Sequence, residues 1–241
     1  MTDTVKQEPI LSSVSPTLHP DSVTPFAAAG ESPIRAAQQA LISIYRSSDA
    51  MTQAEKTTRA TFGVTQIVNG AKIELAIPQD RAVILAADLG ERFGKVARQF
   101  DSSMIIINDT ISGLETKIAE TLVSAQRDAM ASGEAQDCRR YIAGLPQAER
   151  MNVLHSADLD MVQACLASPF AAGLSRDQAA TLRSLAADRF SKPEVDQLAG
   201  AVALRTHMQK SSALFIGSYR KLLPPTFETA QSKAQKALKE G

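Results

Sequence analysis

"FGKVARQFDSSMIIINDTISGLETKI", residues 93–118, carries the most sustained periodic pattern in the chain. Apolar residues recur in it at alternating steps of four and three, which is the a/d spacing of a helix that packs along a seam. The pattern predicts a long, coiled-coil-like helix from about residue 78 to about residue 132. The eight seam positions, predicted to form an oligomer interface, are Phe93, Ala97, Phe100, Met104, Ile107, Ile111, Leu114 and Ile118.

Several of these seam positions are isoleucine, and isoleucine at both a and d favours more than two helices. The seam therefore predicts a homo-oligomer of three or more copies. The same pattern leaves an alternative open, in which the seam closes within one chain on a first helix predicted over 33–60. Ile105 and Ile106 lie outside the seam and need cover of their own.

"GVTQIVNGAKIELAIP", residues 63–78, predicts a β-hairpin between the two helices, over 62–77. Asn69 and Gly70 are the turn residues, because a type I′ turn needs positive φ at both central positions. A lone two-stranded hairpin is only marginally stable in water, so its apolar face must cover another element. The first half of the chain is thus predicted as helix, hairpin and long helix.

The C-terminal half has shorter helical segments. Gly144 and Pro146 predict a helix end and a new start, and Ser175 with Gln178 predicts a capping box. These signals predict a small helical bundle and a mainly α protein. The predicted organisation is an extended or disordered arm (1–31), the helix, hairpin and heptad helix (32–133), the bundle (134–223) and a basic tail (224–241).

The N-terminal arm is rich in Pro, Ser and Thr, a composition that is predicted to bury little and to form no helix. Its spaced apolar residues predict either an extended strap that docks on a partner protein or a disordered leader. The docking residues would be Ile10, Leu11, Val14, Leu18 and Phe26.

Charge and composition narrow the class of partner. There are 26 basic and 26 acidic residues, so no global charge favours nucleic acid or a membrane surface. The N-terminus lacks the pattern of a signal peptide, and no apolar run is long enough to span a membrane. We therefore expect synthesis in the cytoplasm, with self and other protein subunits as partners.

The sequence shows no catalytic, cofactor-binding or metal-binding pattern. The three histidines, His19, His155 and His207, occupy separate segments. The two cysteines, Cys138 and Cys165, fit no zinc spacing and no disulfide framework. A Cys–His pair involving His155 stays open as an alternative, although no orienting acid accompanies it.

"LHSADLDMVQACLASPFAAGLSRDQAATLRSLAADRFSKPEVDQL", residues 154–198, resembles a segment of uncharacterised helical proteins from tailed phages and prophages of proteobacteria. The shared features are an Ala-x-Pro helix end, a large residue, a Gly-Leu-Ser turn and an Arg-containing helix. In this chain they are Ala167, Ser168, Pro169, Phe170, Gly173, Leu174, Ser175, Arg183 and Arg189. The resemblance covers about a fifth of the chain and implies a place among virion or head-assembly genes, with no activity.

These observations predict a non-enzymatic assembly protein of a phage virion or head that oligomerises through its long helix. The location would be the host cytoplasm during synthesis and the virion afterwards. The alternative is a helical nucleic-acid-associated or regulatory protein with the C-terminal bundle as its binding module. A third hypothesis is an enzyme that uses Cys138 or Cys165.

Overall fold

The structure is a computed structural model that describes residues 15–63, 65–68, 71–74, 77–123 and 132–223. Within these residues the fold is mainly helical, which confirms the predicted class. Two 3-10 helices, Pro16–Leu18 and Pro20–Ala29, precede the α-helices. The α-helices are α1 (Glu31–Phe62), α2 (Gln79–Val123), α3 (Gly133–Gly144), α4 (Gln147–Ser156), α5 (Leu159–Ala167), α6 (Arg176–Phe190) and α7 (Lys192–Leu222).

Two strands of four residues each lie between α1 and α2. β1 (Thr65–Val68) pairs antiparallel with β2 (Ala71–Glu74), and Val68 lies opposite Ala71. The predicted hairpin over 62–77 is not supported at that length, because Phe62 belongs to the last turn of α1. Asn69 and Gly70, the predicted turn residues, lie outside the described residues.

The chain divides into two compact units. The described residues of unit 1 lie within 15–27, 31–106 and 204–223, and those of unit 2 lie within 28–30 and 107–203. Helices α2 and α7 each contribute residues to both units.

The core of unit 1 is formed by the apolar faces of α1, α2 and α7. Leu41 and Ile44 of α1 are fully buried, as is Leu89 of α2. The ring of Phe93 stacks on Phe215 at 5.4 Å and on Tyr219 at 4.3 Å, measured between ring centroids. Offset stacking of this kind stabilises a helix contact beyond the buried area alone. It joins α2 to α7 within unit 1.

Residues 15–29 correct the predicted extended arm. They form the two 3-10 helices, in which prolines are tolerated because such short turns need few backbone donors. Leu18 and Val23 are buried, and the Ser211 hydroxyl, which donates to the His207 carbonyl at 3.0 Å, lies 3.3 Å from the Thr17 carbonyl oxygen. Burial of these apolar side chains offsets the conformational entropy that is lost when residues 15–29 become ordered. The Pro/Ser/Thr composition alone predicts too little burial for this.

The start and end of the two long helices also differ from the predicted ones. Helix α1 begins at Glu31, directly after Gly30 at φ +96°, whereas Pro33 was the expected start. Helix α2 is described to Val123, and Ser132, the predicted end, is instead the N-cap of α3. The Ser132 hydroxyl accepts a hydrogen bond from Ala135 N at 3.2 Å. A serine is favoured at an N-cap because it satisfies a backbone donor of the first turn.

Unit 2 has its own apolar core, centred on the fully buried Ile142, Leu154 and Leu182. Gly144 ends α3, and the Ser175–Gln178 capping box is present at the start of α6, as predicted. These signals are local because side chains a few residues away satisfy the backbone groups at the helix ends. The full buried cluster is Leu122, Ile142, Leu154, Val162, Cys165, Leu166, Ala172, Leu174, Leu182 and Ala186.

Candidate interaction surface

The eight predicted seam residues of α2 are already covered within a single chain. Ile107, Ile111 and Leu114 are buried, and the other five are half-buried. Phe93 lies against aromatic rings of α7, and Ile118 packs on the core of unit 2. Their contact with other copies stays a prediction, but little of their surface is left to provide it.

A different side of α2 exposes apolar side chains in unit 1. Val83 is 56% exposed, Ile84 59% and Ile105 59%, and Ala87 between them is also exposed. Positions 87 and 105 are eighteen residues, or five turns, apart and therefore lie on the same side of the helix. We call Val83, Ile84, Ala87 and Ile105 the outer stripe. Val83, Ile84 and Ala87 form one apolar end of it and Ile105 forms the other, with charged residues between them.

Charged side chains surround the outer stripe. Arg92 binds Asp88 at 2.9 Å, and Lys95 binds Glu91 at 2.7 Å. At the N-terminal end the Arg81 guanidinium lies 4.5 Å from the centroid of the Phe62 ring. Apolar patches bordered by charge are typical of protein–protein contacts.

Sequence reasoning missed the first end of the outer stripe because the heptad register begins at Phe93. A usable signal was present in "AVIL", residues 82–85. Four consecutive apolar residues place apolar atoms on every side of a helix, so one fold cannot cover them all. The exposed Ile105 was recognised as lying outside the seam, and the structure leaves it uncovered.

A second exposed feature is Phe170, on the turn between α5 and α6. Its side chain is 95% exposed, and the backbone of the turn around it is hydrogen-bonded. Within the turn, Leu174 N donates a backbone hydrogen bond to Pro169 O at 2.9 Å, and Gly173 N donates one to Phe170 O at 3.0 Å. The Gly173 carbonyl also accepts a hydrogen bond from the guanidinium of Arg150. An aromatic side chain displayed on an ordered backbone has the features of an anchor for a partner.

The predicted docking residues of the arm have different surroundings. Leu18 is buried within unit 1, and Phe26 lies 5.2 Å from His207 between ring centroids. Burial of Leu18 leaves it no surface for a partner, whereas Phe26 is half-buried and its contact with a partner stays a prediction. Ile10, Leu11 and Val14 lie outside the described residues, as does the tail 224–241.

The two cysteines lie in an environment that disfavours thiolate. Cys138 lines a cleft of about 270 Å³ together with Glu134, Asp158 and Asp160. Burial raises the pKa of its thiol, and the nearby carboxylates of Asp158 and Glu134 raise it further. Cys165 is fully buried on α5, and burial raises its pKa to about 11. Since the thiolate is the nucleophilic form, neither cysteine is activated.

The histidines do not complete a catalytic group with these thiols. His155 lines a separate apolar cavity with Leu154 and Phe190. His207 lies in unit 1 beside Ser22, and burial lowers its pKa, with a smaller contribution from Lys210. Asp158, which faces Cys138, is the N-cap of α5 and accepts from Met161 N at 2.9 Å. Its position is therefore explained by helix capping.

Two further observations limit the chemistry of the described part of the chain. No cluster of three His, Cys, Asp or Glu side chains there is arranged to hold a metal ion. Across the same residues, no helix combines the length and the apolar character that a membrane crossing needs.

Comparison with known proteins gives no relative. No protein-family model, no curated protein and no solved structure matches the chain significantly.

Proposed function

We propose that this chain is a non-enzymatic assembly protein that self-associates through α2 and serves as a structural component of a larger particle. The observation that carries the proposal is the outer stripe, whose isoleucines are more than half exposed in the single chain. Exposed apolar patches of this kind mark protein contacts. The particle we propose is a tailed-phage virion or head, on the resemblance of residues 154–198.

This proposal moves the self-association surface from the seam to the outer stripe. The seam residues stabilise the chain itself, whereas Val83, Ile84 and Ile105 are available to a second copy. The long helix keeps its proposed role, but on its opposite side.

Phe170 is the contact that we propose for other subunits of the particle. It lies in unit 2, whereas the outer stripe lies in unit 1. A hydrogen-bonded turn is suited to this because little entropy is lost when its side chain is bound.

The environment of the cysteines supports a role without catalysis. A thiol whose pKa is about 11, as at Cys165, is protonated at neutral pH and attacks poorly. Substrate turnover that is saturable and is abolished by Cys138→Ala or Cys165→Ala would overturn the proposal.

Co-purification tests the particle role. We expect the chain in purified particles at a fixed copy number, and we expect Phe170→Ala to reduce incorporation while the isolated protein keeps its fold. Tyr141→Ala is the matched control, since Tyr141 is also an exposed aromatic residue of unit 2. Equal incorporation of both variants would exclude Phe170 as the contact.

A truncation separates the two parts of the N-terminal segment. Removal of residues 1–14 leaves the described 3-10 helices intact and should leave the isolated protein folded. Removal of residues 1–31 takes away the buried Leu18 and Val23 and should destabilise it. Circular dichroism with thermal melting distinguishes the two outcomes.

A further inference from the structure

Four exposed residues of α2 are placed symmetrically along the helix. Ile84 and Ile105 lie equally far from the midpoint between Gly94 and Lys95, and so do Glu91 and Arg98. All four of these side chains are exposed. The isoleucines are twenty-one residues apart, which is about 31 Å along the helix at 1.5 Å per residue.

We infer that α2 pairs antiparallel with α2 of a second copy, about a two-fold axis at this midpoint. Ile84 then contacts the partner's Ile105, and Glu91 pairs with the partner's Arg98. Each contact occurs twice, as a two-fold interface requires. The inference rests on the proposed self-association and specifies its geometry.

Charge favours the antiparallel arrangement over a parallel one. A parallel pair in register would set Glu91 against Glu91 and Arg98 against Arg98, and opposed like charges are costly at an interface. The antiparallel register places acid against base at both positions. Arg98 has no ion-pair partner among the described residues, so its guanidinium is available for this contact.

The middle of the interface brings charged side chains close to the two-fold axis. Gly94 lies next to the two-fold axis and has no side chain, and the Arg98 guanidinium lies 3.8 Å from where a Gly94 Cβ would be, so Arg98 is positioned at the centre of this surface. The Glu91 carboxylate already binds Lys95 of its own helix at 2.7 Å, and its remaining lone pairs can accept from a second cation. In this register Asp88 is level with the partner's Asp101, which would oppose two like charges. Asp88 lies about a quarter turn away from the outer stripe, however, and binds Arg92 of its own helix at 2.9 Å.

The inference changes the expected copy number. The isoleucines of the seam predict an oligomer of three or more copies. Two of them, Ile107 and Ile111, are however buried within the single chain. A two-fold contact closes at two copies. Larger assemblies then need a second contact, for which Phe170 is available.

Charge reversal tests the register. Molar mass is measured by light scattering between about 1 and 100 µM at low salt, where exposed charge pairs are least screened. We expect the wild type to form dimers, and Glu91→Arg and Arg98→Glu each to weaken association at least tenfold. Arg46→Glu on α1 is the control for a change of charge elsewhere in unit 1 and should leave association unchanged.

Mixing the two charge variants is the decisive measurement. In a mixed dimer, one chain carries two arginines at these positions and the other carries two glutamates. Every pair across the interface is then attractive, so mixing should restore association to within about threefold of the wild type. Restoration would support the antiparallel register, and failure to restore it would overturn that register.

A stripe variant separates this inference from the proposed function. If Ile84→Asp dissociates the dimer while both charge reversals leave it intact, self-association through α2 stands and the register is wrong. If the wild type is monomeric up to about 100 µM, both are wrong.

Discussion

Ser22 and His207 lie in contact although 185 positions separate them in the chain, with the Ser22 hydroxyl 2.9 Å from His207 Nε2. The same hydroxyl lies 3.0 Å from the Thr17 carbonyl oxygen, so Ser22 is in hydrogen-bonding distance of both the imidazole and this carbonyl. This contact fastens the 3-10 segment to α7 within unit 1.

The first prediction concerns pH. Burial lowers the pKa of His207 below its ordinary value of 6.5, so the unfolded chain binds a proton more readily than the folded one. The contribution of neutral His207 to the free energy of unfolding should therefore be complete above about pH 6.5. It should be lost as the pH decreases through the folded-state pKa. Urea unfolding between pH 5 and pH 8 measures this dependence. His207→Gln should flatten it, and an unchanged slope in that variant would assign the dependence to another group.

The second prediction uses two glycines of α7. A Cβ on Gly200 would lie 2.7 Å from Ala29 N and 2.9 Å from the Ala28 carbonyl carbon, and backbone cannot move aside cheaply. Gly200→Ala should cost roughly 1–3 kcal/mol of stability through this overpacking. Gly217→Ala is the control, because nothing lies within 4 Å of its Cβ position. It should gain about 0.5–1 kcal/mol from the better helix propensity of alanine. Equal effects of the two substitutions would contradict the close approach.

The third prediction distinguishes burial within a chain from burial between chains. Ile107 is fully buried in one chain, so Ile107→Ala should destabilise by about 2–5 kcal/mol. The loss should be the same at low and high protein concentration. Leu214→Ala, at a 43% exposed position, should cost much less. A loss seen only at high concentration would place Ile107 between copies, as the heptad pattern alone predicts.

The fourth prediction concerns Arg150, which binds three backbone carbonyls. Nε donates to Leu145 O at 3.0 Å and Nη2 to Ala143 O at 2.9 Å, while Nη1 donates to Gly173 O. Arg150→Met should destabilise by about 2–3 kcal/mol, since partly buried acceptors lose a charged donor. Arg150→Lys should not restore stability, because an ammonium cannot span three acceptors. Thermal melting checks this, with the exposed Arg183→Met as the control.

The elements that sequence predicts well are those fixed by local backbone chemistry. The capping box of Ser175 and Gln178 and the end of α3 at Gly144 follow from donors and acceptors within a few residues. The mainly α fold class follows from the helical spacing of apolar residues, which extends over many positions. These signals do not depend on what packs against them.

The elements that sequence predicts poorly depend on a distant partner. An a/d pattern predicts that the seam is buried, but it does not indicate whether the same chain or another copy buries it. Here two aromatic rings of α7 in the same chain pack on Phe93. Proline-rich composition excludes an α-helix over 16–29 but does not exclude short 3-10 turns whose Leu18 and Val23 find a buried place. The sequence indicates apolar residues outside the seam at 82–85 and at Ile105, but not which of them stay exposed, because exposure is a property of the assembled fold.

The division of the sequence between the two units has a consequence for synthesis. Most of unit 2, residues 107–203, is made before the part of α7 that belongs to unit 1. Phe93 leaves the ribosome about 120 residues ahead of Phe215, the ring on which it stacks. At ~5–20 residues per second that interval is on the order of ten seconds. During it the apolar faces of α1 and α2 lack the part of α7 that covers them in the finished chain.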